Sequence, residues 1–433
     1  MVLMKMMKNL SSEYTTQLVK MAIMMTNDIE WKMVKLGDVT QVFSGGTPST
    51  DHLEYWNGNI PWMNSGELNL KIVNAVEGRI TELGLKSSST HWIPKECVLI
   101  GLAGQGKTRG TAAFNTIPLC TNQSIAAIYP NESFFDSKYL YFYFDTQYEK
   151  LRELSSGGGG RGGLNKNHLL QYMVPIPYKN GAPDLETQKQ IAQKLGDMDS
   201  LIAAKEKLLA KKRNLKVAAM QKLIKNEESE NWKKVKLGEL IDSANYGVGA
   251  EAVDYDGENK YLRITDIDDR THEFIPNPLV SPSYFSERYL VKADDLLIAR
   301  TGASVGKTYL YNEKDGKLIY AGFLMKLHIK KAISKFVFYQ TLTENYNKFI
   351  LSESARTGQP GVNLQQIKKF EINIPFNSDG SPDLNEQRRI ASILSDMDSE
   401  IAAIEKEITK LQNLKTAMMQ KMFCFGDSDS SSE

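Results

Sequence analysis

Cysteine is nearly absent: Cys97, Cys120 and Cys424 are the three such residues in 433, an odd number with no Cys-x-x-Cys pair. That usage excludes a disulfide framework, offers no zinc site and fits a reducing compartment, so the expected location is the cytoplasm. Histidine is equally sparse. His52, His91, His168, His272 and His328 fall singly, so neither a metal centre nor a catalytic triad has a foothold, and no catalytic or metal-ligating residue is expected. No apolar run reaches the roughly 20 residues that a membrane-spanning helix needs. A surplus of one charge is also missing, with 53 Lys and Arg against 52 Asp and Glu, so binding to a polyanion would have to rest on local charge. The Met-rich residues 1–27 lack the apolar core and cleavage site of a secretory signal. They are expected to be an accessory helix or a dispensable extension, with Met25 as an alternative start. The acidic, low-complexity tail at 425–433 is expected to be disordered.

What the chain does contain is a second copy of itself. WKMVKLGDV at Trp31–Val39 returns as WKKVKLGEL at Trp232–Leu240, and LIGLAGQGKT, ending at Thr108, returns as LIARTGASVGKT, ending at Thr308. GLNKNHLLQYMVPIPY from Gly163 returns as GVNLQQIKKFEINIPF from Gly361. PDLETQKQIAQKLGDMDSLIAA from Pro183 returns as PDLNEQRRIASILSDMDSEIAA from Pro382. Four blocks in one order, each displaced by about 200 residues, make a tandem repeat in which each half is a variable globular segment followed by a long helix. The division this implies is an extension at 1–27, a first globular segment at 28–182, a helix at 183–228, a second globular segment at 229–381, a helix at 382–424 and a tail.

Heptads define the helices. In the second copy Ile390, Met397, Ile404, Leu411 and Met418 recur every seventh residue, while Leu394, Ile401, Ile408 and Met422 fill the alternate position and Lys415 interrupts. That is a coiled-coil seam. The first copy places Ile191, Leu195, Met198, Ile202, Leu209 and Leu223 correspondingly, but Lys205, Lys212 and Lys216 interrupt, and Leu201, Leu208 and Leu215 are expected to carry the apolar stripe there. The first helix is also the more basic: ten Lys and Arg against four Asp and Glu over 186–226, compared with six against six over 385–423. It is therefore expected to face phosphate, an acidic surface or simply solvent. Pro-Asp precedes each helix and suits its positive end. The globular segments read as mixed α/β. ECVLIGLAG, FNTIPLC, SIAAIYP, DDLLIAR and FEINIPF have strand character, whereas SKYLYFYFDTQYEKLREL and SKFVFYQTLTENYNKFIL have helical spacing with aromatic stripes expected to be core.

GLAGQGKT at 101–108 matches the spacing of a nucleotide-binding phosphate loop. Such a loop requires a helix to follow, and RGTAAFNTIPLCTNQS does not read as one; the second copy also has Thr301 at the place of Gly101. The shared feature is a Gly/Lys turn after a buried strand. Lys107 and Lys307 are candidate phosphate contacts there, flanked by Arg109 and Arg300. A second candidate is the glycine-rich stretch at 155–169, paired with 354–367, where Arg161, Arg356 and Gln359 are able to reach a base edge and Asn165 and Asn363 read as helix caps. Arg263 stands at the edge of ITDIDDRTHEF, a loop that diverges from NSGELNLKIVN in the first copy as base-reading loops would.

Together these blocks, with SGGTPSTDHLEYWNGNIPW at Ser44–Trp62, resemble the specificity subunit of a type I restriction-modification system over residues 30–424. The resemblance implies a mixed α+β fold with pseudo-twofold repetition: two globular target recognition domains joined by two long antiparallel coiled-coil helices acting as a spacer. It implies double-stranded DNA as ligand, read as a split asymmetric target at Lys107, Arg109, Arg161, Arg263, Arg300, Lys307, Arg356 and Gln359. It further implies two modification subunits that methylate adenine with S-adenosylmethionine, and restriction subunits that use ATP and magnesium. The chain itself would bind no cofactor and catalyse nothing; its nearest string to an amino-methyltransferase motif, Asn277-Pro278-Leu279, fails at two of four positions. A self-contained nucleotide-hydrolysing or methyltransferase enzyme and a coiled-coil scaffold are the competing readings.

Overall fold

The computed structural model describes residues 29–104, 106–155, 163–224, 231–355 and 361–423. Expectations for the N-terminal extension and for the tail lie outside them. The chain forms two compact units, one of residues up to 206 together with those from 407 onward, the other of residues 207–406. Compact units and sequence segments therefore do not coincide, because each long helix is divided between the units.

In the first unit, strand Glu30–Lys35 runs antiparallel to Met173–Lys179, with Glu30 opposite Tyr178 and Lys35 opposite Met173. In the second, Trp232–Lys236 pairs in the same way with Glu371–Pro375. Two sequence blocks that recur far apart in each copy are thus one ribbon in space, closing each globular segment just before its long helix. The Leu-Gly that follows the first strand explains its recurrence. Leu36 N donates to Tyr172 O at 2.9 Å and Leu237 N to Phe370 O at 2.8 Å, and a Cβ on Gly37 would lie 2.8 Å from Leu170 O.

Each unit has a central sheet with the same leading strand order. In the first it is Val42–Ser44, Ile125–Ile128, Val98–Gly101, Ala112–Asn115 and then a parallel Ile72–Val73. In the second it is Ile241–Tyr246, Leu324–Ile329, Asp295–Ala299 and Thr308–Leu310, all antiparallel. The innermost strands are apolar on both faces because helices cover one side and a smaller cluster of core residues the other. Each aromatic-rich segment expected as one helix is two: Ser137–Thr146 with Tyr148–Leu154, and Ser334–Gln340 with Glu344–Ser354. The break in the first copy is made by Gln147, buried and bonded to Thr146 and Tyr172. In the second, Thr343 caps the new helix by accepting from Tyr346 N. The aromatics are core as expected, with Tyr139, Phe144, Phe336 and Tyr339 all fully buried.

The long helices span Leu185–Ile224 and Leu384–Phe423, 40 residues each. Asp184 accepts from Thr187 N at 3.1 Å, and Asp383 from Glu386 N at 2.9 Å, so each acidic residue is a cap as well as a favourable charge. In the first unit Asp199 meets Lys415 at 2.5 Å and Lys205 meets Glu407 at 2.9 Å. In the second Lys212 meets Glu400 at 2.7 Å and Lys216 meets Asp398. Rising numbers on one helix against falling numbers on the other mark an antiparallel pair within each unit. Ile191, Leu195, Met198, Ile202, Leu209, Ile390, Leu394, Ile401, Ile404, Ile408 and Leu411 are buried in this packing and Met397 is half-buried, as the heptads predict.

The stripe expected on the first helix needs correction. Leu208 and Leu215 are 37% and 46% exposed, while the lysines read as interruptions face the partner helix. A Lys stem covers apolar surface while its ammonium meets a carboxylate at the rim, so a seam position can be occupied by Lys without a gap. The acidic surface sought for the basic first helix is, at these positions, the second helix.

Candidate nucleic-acid interface

The GKT turns are hairpin loops. Val98–Gly101 returns antiparallel through Ala112–Asn115, with Ile100 opposite Ala112, and Asp295–Ala299 returns through Thr308–Leu310, with Ile298 opposite Thr308. A strand and not a helix follows each loop, so neither loop has the helix dipole on which a nucleotide phosphate loop relies. One carbonyl anchors each loop from behind: Gly106 O accepts from the Arg152 guanidinium at 2.8 Å, and Gly306 O from Tyr346 OH at 3.0 Å. Sequence reading did not find Arg152 or Tyr346, since their partners lie some 40 residues away and are main-chain atoms.

The two loops then diverge. Lys107 is exposed and lines a shallow depression with Asn69, Lys71, Asp145 and Tyr148, where Lys71 is held by Asp145 at 2.6 Å. Arg109, next to it, is half-buried. Lys307 is different: its side chain is 10% exposed and its ammonium donates to Ile267 O at 2.9 Å and meets Asp269 at 2.5 Å. It tethers the 264–274 loop to the hairpin, and its expected role at a phosphate is corrected accordingly. Arg263 is corrected for a similar reason. Its Nε and Nη2 donate to Asp266, 1% exposed, at 2.9 and 2.7 Å, and Nη2 also reaches Pro278 O, so the fork is engaged within its own loop. Arg300 is placed differently from these two. It is half-buried, its guanidinium lies 4.7 Å from the centre of the Tyr246 ring, and its Nε has no hydrogen-bond partner among the described residues. Arg161, Arg356 and Gln359 lie outside the described residues.

The divergent loop of the second unit is pinned more firmly than a free reading loop. Its Arg270 binds Glu405 on the second long helix, where Arg213 meets the same carboxylate at 2.7 Å. Burial raises the Glu405 pKa, but hydrogen bonds from the two arginines outweigh it and hold the carboxyl below its ordinary value. His272 Nδ1 lies 2.7 Å from Thr308 O, and burial above all keeps that imidazole below its usual pKa and so neutral. The caps were legible: Asn165 accepts from His168 N at 3.0 Å, and Asn363 from Gln366 N at 3.0 Å in a reciprocal capping box. Sequence reading missed Gln188 and Gln387, fully buried at matching places in the long helices. Gln188 accepts from Asp136 N at 2.9 Å and Gln387 from Ile333 N at 3.0 Å, each receiving the helix start in front of it. Their signal was a glutamine recurring at one place in both copies. Burial pushes the Cys97 thiol up to about 12 and Cys120 to about 11, so neither is a thiolate at neutral pH. Among the described residues no His, Cys, Asp and Glu cluster able to hold a metal is found, and no helix is long and apolar enough to cross a membrane.

A doubled sheet-and-hairpin fold carried by two long paired helices is the architecture of a known class. The type I restriction modification DNA specificity domain matches twice, at residues 28–211 and 229–413. The chain belongs to that family of specificity subunits. The EcoR124I/EcoR124II specificity subunit of Escherichia coli is 28% identical over 177 residues, covering 40% of this chain and 42% of that one. The MjaIX specificity subunit of Methanocaldococcus jannaschii is 35% identical over 183 residues, covering 41% and 40%, so the chain aligns with about two fifths of the length of each of these relatives. The MjaVIII specificity subunit of the same archaeon is 22% identical over 420 residues, 90% of this chain and 91% of that one. The crystal structure of a type I S subunit from M. genitalium shares the fold with a TM-score of 0.59 at 15% identity, covering 93% of this chain and 98% of that one.

Proposed function

We propose that this chain is the DNA-reading subunit of a type I restriction-modification complex. Each unit reads one word of a split, asymmetric duplex target, and the chain directs adenine methylation by two modification subunits and cleavage by restriction subunits. S-adenosylmethionine, ATP and magnesium are used by those partners in the cytoplasm, and this chain catalyses neither step. What supports the reading is the pairing of sameness with difference. Ribbon, sheet order, hairpin and caps recur in both units, while the surroundings of the hairpins differ, as scaffolds and base-reading loops should. Comparing adenine methylation across the genome with and without the gene is the test. The loss of one motif made of two separated words is expected; retention of every motif would remove the proposal. Turnover of S-adenosylmethionine or ATP by the purified chain alone would restore the enzyme reading.

A further inference from the structure

One corner is built identically in both units and furnished differently. In the second unit Gly247 N donates to Leu324 O at 3.1 Å, Val248 N to Tyr320 O at 3.0 Å and Arg300 N to Phe323 O at 3.0 Å. The first unit has the same three bonds: Gly45 N to Ile125 O at 3.3 Å, Gly46 N to Thr121 O at 2.8 Å and Leu102 N to Ser124 O at 2.8 Å. The backbones match, so Tyr246, Arg300 and Phe323 occupy the places of Ser44, Leu102 and Ser124.

The second unit thus has a guanidinium over an aromatic ring beside Phe323, which is 64% exposed near the tip of a turn closed by Leu324 N on Ala321 O at 2.9 Å. A large apolar ring left in water at a turn, next to a half-buried arginine whose Nε has no hydrogen-bond partner among the described residues, is costly for folding alone. In the first unit Ser124 stands at the place of Phe323, and the residue before it, Gln123, is exposed, with Thr47 Oγ1 donating to its Oε1 at 2.5 Å. Both corners lie beside Gly163 and Gly361, where the second pair of repeat blocks begins: Val362 N donates to Arg300 O at 2.8 Å, and Leu164 is buried in the corresponding place.

Resting on the proposed reading of DNA, we infer that this corner is the base-contacting point of each unit and that its side chains set the two words. In the second unit Arg300, held against the Tyr246 ring, turns its donors to the two acceptors on a guanine edge, and Phe323 packs on the methyl of an adjoining thymine. A planar fork already held against a ring loses little freedom on binding, and an apolar ring reaching into a groove favours the methyl group of thymine over the other bases. In the first unit Gln123 makes a polar contact of the kind that suits adenine.

The test uses the full chain with its modification subunits and a duplex library of randomised sequence, with bound molecules selected and sequenced. Arg300→Ala and Phe323→Ala should each weaken binding to the duplex chosen by the unaltered complex by about tenfold, the scale of one base contact. Both should relax one and the same word, whereas Gln123→Ala relaxes the other. Arg300→Lys keeps the charge but loses the fork, so it should retain low-salt affinity without restoring the word. Unchanged unfolding midpoints show that the variants fold. Two words left intact by all three alanine variants, equal loss of both words from any one of them, or recovery by lysine would overturn the inference. An unaltered complex that selects no word at all would instead overturn the reading on which it rests.

Discussion

Glu405 shows how one residue joins a loop to a helix. Because its folded pKa lies below the ordinary value, the unfolded chain takes up the proton first as pH falls. Its contribution is therefore present above the unfolded carboxylate value of about 4.3 and fades as pH drops through the folded value. Glu405→Gln should lower stability by about 1 kcal/mol at neutral pH, as partly exposed pairs do. The difference from the unaltered chain, followed by urea unfolding, should shrink toward zero near about pH 3; a difference that stays constant would show that the two arginines do not act through charge. Gly247 gives a second case. A Cβ there would lie 2.1 Å from Ala321 O, whereas one on Gly249 meets nothing within 4 Å. Gly247→Ala should cost about 1–3 kcal/mol by overpacking, and Gly249→Ala should fall within about 0.5 kcal/mol of the parent. Equal effects would mean that the close approach is not what holds the glycine in place.

At the scale of the element, the helices separate what burial does from what hydrophobicity suggests. Leu394 is fully buried and Leu215 is 46% exposed, although both are leucines in an amphipathic run. Leu394→Ala should cost about 2–5 kcal/mol through lost transfer energy and a cavity, and Leu215→Ala about 0.5 kcal/mol or less. Denaturant titration of the two variants checks this, and similar midpoints would return the stripe to its expected place. The ion pairs between the helices supply a test of direction. Reversing Lys212 or Glu400 alone sets like charges together, whereas Lys212→Glu combined with Glu400→Lys restores attraction, so the double variant should recover most of the loss. The long helices were legible because seven-residue periodicity is a local property carried over many turns. Their rotation was not: two leucine stripes competed on the first helix, and the partner's carboxylates decided which face turned inward.

For the whole molecule, the doubled chain predicts modularity. Exchanging residues 30–180 for the equivalent segment of another specificity subunit should change one word of the methylated motif and leave the other intact, read by methylation sequencing. Simultaneous change of both words would contradict one reader per unit. The recurrence itself was readable from four blocks of sequence, including the ribbon strands, but not the fact that the first and third blocks of each copy hydrogen-bond to each other. Nor was the division of each long helix between two compact units readable, because it depends on which distant halves pack together.

The sequence alone determined the repeat, the heptads, the caps at Asn165 and Asn363, the acidic start of each long helix, and the absence of a helix after the GKT turns, all patterns that neighbouring residues settle among themselves. Tertiary structure decided which charged side chains are presented and which are consumed. Lys107 and Lys307 stand in the same three-residue motif, yet one is exposed and the other is half-buried and engaged by Asp269 and Ile267 O. A charge finds its lowest free energy by meeting whatever opposite group folding brings near, and that group need not be near in sequence.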